Sequence, residues 1–265
     1  MVVHVVHDGG AENISEDQVR SQINILNQDF RNKNAGGVDT GIEFELANVD
    51  DKGNKTNGVT RHKNLITNFI YNSNLDNSDS FNSKEGLLKG IIQWNPKKYL
   101  NIWIVDTIRD ISNQNQPDWI AYATYPQQFL THPQFDGLVV IDDFFGTVGT
   151  GADPKRNLGH TCTHEIGHWL GLFHTYEGGC EEAYKGDCSI YGDMVCDTPP
   201  AFMGCNDNRD CSITLNTCIE NSDQNDLSNN FMDTGQDVCM TTFTQGQTNK
   251  MKEMIIKFRN TNVVQ

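Results

Sequence analysis

The chain has 265 residues, 37% of them hydrophobic and 9% aromatic, which is enough to bury a core and excludes wholesale disorder. Its 35 acidic and 20 basic residues leave a net charge of −15, a surface that repels phosphate backbones and anionic lipid, so neither nucleic acid nor membrane is expected as a partner. No apolar run approaches the roughly 20 residues of a membrane helix, and the length suits one compact unit with two lobes.

Val2–His7 is β-branched and reads as a strand. Ser15 is placed to cap a helix, with Glu16, Asp17 and Gln18 in its first turn. Val19, Ile23, Leu26 and Phe30 recur at helical spacing, so an amphipathic helix is expected over Ser15–Arg31. Asn34–Gly41 reads as a turn-rich exit. Ile42–Val49 alternates apolar Ile42, Phe44 and Leu46 with Glu43 and Glu45 and predicts a half-exposed strand. Asn72–Ser83 reads as a surface loop. Tyr99–Asp106 predicts a central strand, and Ile120–Tyr125 and Gly137–Ile141 two more. A Gly-rich loop over Val148–Pro154 leads into a helix from about Leu158 to Leu170. Regular structure then lapses until Thr244–Arg259, where Met251, Met254, Ile255 and Phe258 mark a terminal helix.

All but one of the eight cysteines (Cys162, Cys180, Cys188, Cys196, Cys205, Cys211, Cys218, Cys239) fall in that irregular stretch. Disulfides in an oxidising compartment fit this clustering. Zinc knuckles are the rival, weakened by the absence of any Cys-x2-Cys pair.

The chemistry concentrates in His164-Glu165-Ile166-Gly167-His168-Trp169-Leu170-Gly171-Leu172-Phe173-His174. On a helix His164 and His168 lie one turn apart on one face and can share a metal ion. Glu165, rotated by about 100°, falls beside such an ion rather than on it. Gly171 lets the helix end in a left-handed turn, after which the chain can swing His174 to the same ion. Three imidazoles leave the fourth zinc position open, as in a catalytic site. The ion would lower the pKa of its water to about 7, with Glu165 as general base and then acid. A lone His-x3-His pair would mean little; here five specified positions coincide on a plausible helix.

This motif resembles the zinc site of the metzincin metallopeptidases. Gly-Gly-Cys at 178–180, Gly-Asp-x2-Cys-Asp-Thr-Pro at 192–199, Gly-Cys at 204–205, Asn-Phe-Met-Asp at 230–233 and Cys-Met-Thr-Thr-Phe-Thr-Gln-Gly-Gln at 239–247 make the chain similar to one branch, the pappalysin-like (cytophagalysin) family. The resemblance covers most of the chain. It implies an α/β (α+β) fold of metzincin type, with an upper lobe over 1–171 and a lower lobe over 172–265. The upper lobe would hold a twisted, mostly parallel sheet with one antiparallel edge strand, a backing helix and the active-site helix. The lower lobe would be irregular, disulfide-stapled, and carry a Met-turn on Met232 and the terminal helix.

A protein or peptide substrate would lie in the cleft between them, paired with an edge strand at Ala121, Tyr122 and Ala123; ordinary sheet packing explains that strand equally well. The resemblance implies disulfides Cys180–Cys218 and Cys205–Cys239, with Cys162 expected as a buried free thiol on the packing face. It implies calcium at Asp193, Asp197 and Thr198, against the plain reading of a solvated acidic loop. It further implies a secreted monomer made with a pro-segment that this chain lacks; its first residues do not read as a signal peptide. One departure stands out. The family usually has Tyr two residues after the Met-turn methionine, whose hydroxyl could help stabilise the oxyanion; here Thr234 stands there. Asp237 is expected either to attract a basic P1′ side chain or to be a solvated loop carboxylate. His160 is expected either to support the site from behind or to sit on the surface at a helix end.

The function expected is therefore a secreted zinc endopeptidase. A zinc-containing binding or toxin-like protein of the same fold with little turnover is the alternative, and a small-molecule zinc amidase fits a long cleft less well.

Overall fold

The computed structural model describes residues 1–33, 36–64, 68–71, 84–110, 119–151, 157–182, 187–204, 214–220 and 223–259. Its elements in chain order are β1 (Val2–His7), α1 (Glu16–Phe30), β2 (Val59–Lys63), β3 (Asn68–Tyr71), α2 (Lys84–Ile91), β4 (Asn101–Val105), β5 (Thr107–Asp110), β6 (Ala121–Ala123), β7 (Leu138–Ile141), α3 (His160–Trp169), α4 (Gly179–Glu182) and α5 (Gln245–Met254). A π-helical turn over Ile255–Arg259 continues α5.

Five strands form one sheet in the order β2-β1-β4-β7-β6, with β4 at its centre. All neighbours are parallel except β6, which runs antiparallel to β7 with Tyr122 opposite Val139. A sheet covered on both faces needs apolar residues on both. Val3, Val5, Ile102, Ile104, Leu138 and Val140 face one side, where Val19, Ile23, Leu26 and Phe30 of α1 and Ile166, Trp169 and Leu170 of α3 cover them. Val6, Trp103, Val105 and Val139 face the other, against Leu88 of α2. The first core continues without a break into Phe231, Met232, Met251 and Ile255, so the turn at Met232 and α5 share the hydrophobic interior of the sheet.

Ser15 caps α1, its hydroxyl accepting from the Gln18 N–H at 3.1 Å. Two buried glutamines on that helix then reach out of it. The Gln18 amide donates to the Asp142 and Phe145 carbonyls, and the Gln22 amide donates to the Gly159 carbonyl while its oxygen accepts from Gly146 N–H. They hold the Gly-rich connection into α3 against the backing helix.

The stretch Ile42–Val49 is not the strand its alternation predicts. Phe44 exchanges hydrogen bonds with the Asn27 side chain of α1, and its ring packs edge-on against Phe30 at 4.9 Å. The place beside β1 goes to Val59–Lys63 instead. Alternation records which side chains are buried; here it is satisfied by packing on a helix. The small parallel sheet of β3 and β5 was not predicted. The loop expected over Asn72–Ser83 lies outside the described residues.

Cys180 and Cys218 are bonded as the resemblance implies, and Cys188 pairs with Cys196, a pairing the sequence left open. Cys162 is buried and free. Cys239 is disulfide-bonded, while Cys205 lies outside the described residues.

Candidate active site

Helix α3 opens at Gly159, whose φ of +80° turns the chain into it. The Asp237 carboxylate caps it, accepting from the N–H groups of Leu158 at 3.0 Å and His160 at 3.3 Å. A carboxylate there satisfies amides that have no partner within the helix and meets the positive end of its dipole. Asp237 is thus buried structure, neither a solvated carboxylate nor a group open to a P1′ side chain. His160 is buried too. Its Nδ1–H donates to the Asp237 carbonyl at 2.7 Å and its Nε2 stands 3.5 Å from Asp29, joining α1, α3 and the loop after the Met-turn behind the site.

The helix ends as the sequence leads one to expect. Gly171 has φ +89°; its N–H donates to the His168 carbonyl at 2.8 Å, and Leu172 N–H donates to the Gly167 carbonyl at 2.9 Å. These paired bonds close the final turn around a left-handed glycine. The reversal returns His174 to the helix face carrying His164 and His168. The three Nε2 atoms form a triangle with edges of 3.0, 3.2 and 3.2 Å.

The outer nitrogens determine what that triangle can hold. His164 Nδ1 lies 2.7 Å from the Phe231 carbonyl and His168 Nδ1 2.8 Å from the Leu172 carbonyl. A carbonyl can only accept, so both Nδ1 atoms donate a ring proton, and in a neutral ring that leaves the Nε2 lone pair facing the triangle. Burial, with His174 nearby, pulls the His168 pKa down to about 3, and burial pulls His174 to about 4, so both rings are neutral near pH 7. Converging lone pairs repel unless a cation lies between them. A tetrahedral ion with Zn–N of about 2.0–2.1 Å spaces its nitrogens by roughly 3.4 Å, close to the triangle seen. His164, His168 and His174 could therefore bind a metal ion, and they are the one such group among the described residues. Glu165 is buried beside them, and that burial pushes its carboxyl up to about 8; a neighbouring cation would draw it back down.

Met232 is fully buried beneath α3. A Cβ on Gly167 would overlap its Sδ and stand 3.2 Å from its Cε, so only glycine lets the methionine pass so close to the helix. The turn is fastened from outside. The Asn230 and Gln247 side chains exchange two amide hydrogen bonds of 2.8 and 2.9 Å, and Asn230 Oδ1 also accepts from Met232 N–H.

Ala121, Tyr122 and Ala123 lie in β6 at the edge of the sheet. Beneath them the Lys89 ammonium sits 5.2 Å from the Tyr122 ring and 5.3 Å from the Trp103 ring. Asp193, Asp197 and Thr198 come together, but with protein partners. Asp193 accepts from Val195 N–H and the Thr198 hydroxyl; Asp197 accepts from the Thr244 hydroxyl and Gly246 N–H at the start of α5. The Lys250 ammonium occupies the Asp193 carbonyl.

Two residues at the site escaped the sequence reading. Tyr125, at the exit of β6, places its hydroxyl 3.1 Å from His168 Nδ1. Tyr176 stacks flat on His174. The only cue to the second is its place just after the third histidine, and nothing in the sequence marks the first.

Residues 89–256 match the peptidase family described as pregnancy-associated plasma protein-A. An extracellular metalloprotease of Sordaria macrospora is 31% identical over 254 residues, covering 93% of this chain and 69% of that protein. One of Colletotrichum graminicola is 36% identical over 144 residues, covering 53% and 47%, so the matched stretch spans about half of that relative. Mature mirolysin of Tannerella forsythia, solved with a cleaved peptide, superposes with a TM-score of 0.74 at 32% identity, covering 96% of this chain and 89% of that one.

Proposed function

The chain belongs to the peptidase family described as pregnancy-associated plasma protein-A, and from that footing we propose that it is a secreted zinc endopeptidase that cuts extended stretches of protein. The observation that carries this reading is the triangle of converging imidazole nitrogens beside a buried carboxyl. Zinc held by His164, His168 and His174 would polarise the scissile carbonyl and acidify the attacking water. Glu165 takes a proton from that water and returns it to the leaving amine nitrogen. Met232 floors the helix that presents two of the three imidazoles, and the carbonyls of Phe231 and Leu172 hold the rings in the tautomer that faces the ion.

The substrate adds a strand to Ala121–Ala123, between an upper lobe over 1–171 and a lower lobe over 172–265. Secretion is supported by the extracellular metalloproteases among its relatives and by the disulfides. The chain acts as a monomer and is made with a pro-segment. Calcium at Asp193, Asp197 and Thr198 belongs to this reading too: the three side chains lie together, and a carboxylate that accepts one or two hydrogen bonds keeps lone pairs for a cation.

Glu165→Ala tests the assignment. Zinc content is expected to survive while cleavage of denatured casein falls by orders of magnitude, and a chelator should silence the parent protein. Full cleavage by the variant would remove Glu165 from the mechanism. A zinc-loaded parent without cleavage would instead indicate a binding protein.

A further inference from the structure

Two tyrosines bracket the three imidazoles. Tyr125 stands edge-on to His168, its hydroxyl engaged at His168 Nδ1. Tyr176 lies flat on His174, ring centroids 4.8 Å apart and planes 6° from parallel. Its backbone is pinned on both sides, since Thr175 N–H donates to the Met232 carbonyl at 3.2 Å and Glu177 N–H to the His174 carbonyl at 3.0 Å. Its hydroxyl is hydrogen-bonded to Thr234. Gly204 closes over the pair: a Cβ there would overlap Thr234 Oγ1 and stand 2.5 Å from Tyr176 Cε1. The phenol is therefore held at ring, backbone and hydroxyl, yet the residue is only half-buried.

Peptide hydrolysis gathers negative charge on the scissile carbonyl oxygen, and a donor already aimed at that oxygen costs no reorganisation when the charge appears. The Thr234 hydroxyl is engaged with the Tyr176 phenol. If Thr234 O–H donates to the Tyr176 oxygen, the phenolic proton is left free to point into the cleft. We propose that Tyr176 donates a hydrogen bond to the scissile carbonyl oxygen as it gains charge, with Thr234 orienting the phenol. The assignment deepens the peptidase reading and rests on it.

Tyr176→Phe keeps the ring stack and removes only the hydroxyl. With zinc-loaded protein and a quenched fluorescent peptide drawn from its casein digest, kcat is expected to fall by roughly 10²-fold, the usual weight of one such donor. KM should stay within about threefold and zinc content unchanged. A phosphinic peptide, which mimics the tetrahedral oxyanion, should lose affinity in step with kcat/KM. Thr234→Val leaves the phenol in place without its guide, and a loss in kcat of about three- to tenfold is expected as a fraction of the donor's weight. A Tyr176→Phe enzyme within twofold of the parent in kcat overturns the assignment and leaves the peptidase reading standing. Should that variant shed zinc or melt early, Thr234→Val decides, and parental kcat there overturns the assignment. A parent inactive on every peptide would instead end the peptidase reading itself.

Discussion

Gly167→Ala puts the packing beneath the imidazoles to a quantitative test. The new methyl group would overlap Met232 Sδ and lie 3.2 Å from its Cε and 3.7 Å from Leu172 Cδ1, where carbon contacts prefer about 3.5–4.0 Å. Met232 is fully buried, so the thioether has no solvent side to retreat to. Overpacking of this kind costs about 1–3 kcal/mol. Against it stands a gain of up to about 1 kcal/mol from replacing glycine inside a helix. The net expectation is a loss of about 1–2 kcal/mol, or a fall in Tm of roughly 2–8 °C for a chain of this size. In a Met232→Ala background the overlap disappears and only the helix gain is left, so the same substitution should stabilise by up to about 1 kcal/mol. Urea denaturation of the four proteins closes the cycle, with an expected coupling of about 2–3 kcal/mol. An equal cost of Gly167→Ala in both backgrounds would refute the idea that Met232 fills the space the glycine leaves.

Further expectations concern the supports of the site and the pH response. Asp237→Ala removes the cap of α3 and should cost about 1–2 kcal/mol in urea denaturation; a change in P1′ preference with no loss of stability would contradict the capping role. His4 is buried between Thr60 and Asn101, and burial holds its pKa at about 4 against 6.5 when exposed. The unfolded chain therefore binds the extra proton first, and stability should fall as pH drops from 6.5 towards 4, by up to about 1.4 kcal/mol per pH unit. His4→Gln should flatten that part of a pH series of denaturation midpoints, and an unchanged slope would show that His4 is not the titrating group. Tyr125→Phe should weaken zinc binding by up to about tenfold in a competition titration with a chelator, and unchanged affinity would show that the hydroxyl does nothing for His168.

Local patterns carried much of this architecture into the sequence. His164, Glu165, His168, Gly171 and His174 are tied by helical spacing and one left-handed turn, so their geometry is a matter of near neighbours. The central and edge strands were legible because β4 is apolar on both faces and β6 precedes a second short apolar run. What escaped depends on contacts between distant segments. Ile42–Val49 has the period of a strand, yet Phe44 takes its hydrogen bonds from Asn27 and packs on Phe30 of α1. Asp237 looks like a loop carboxylate until α3 is seen to begin beneath it. Tyr125 reaches His168 across 43 positions of chain, a separation no short motif encodes. The Cys188–Cys196 pairing could not be chosen from spacing, because several pairings fit the same count.

X-ray absorption at the zinc edge of the purified protein addresses the imidazole cluster most directly. One zinc per chain is expected, with three imidazole nitrogens and an oxygen at about 2.0–2.1 Å. A sulfur ligand near 2.3 Å, or fewer than three imidazoles around the ion, would contradict the convergence of His164, His168 and His174 on one metal.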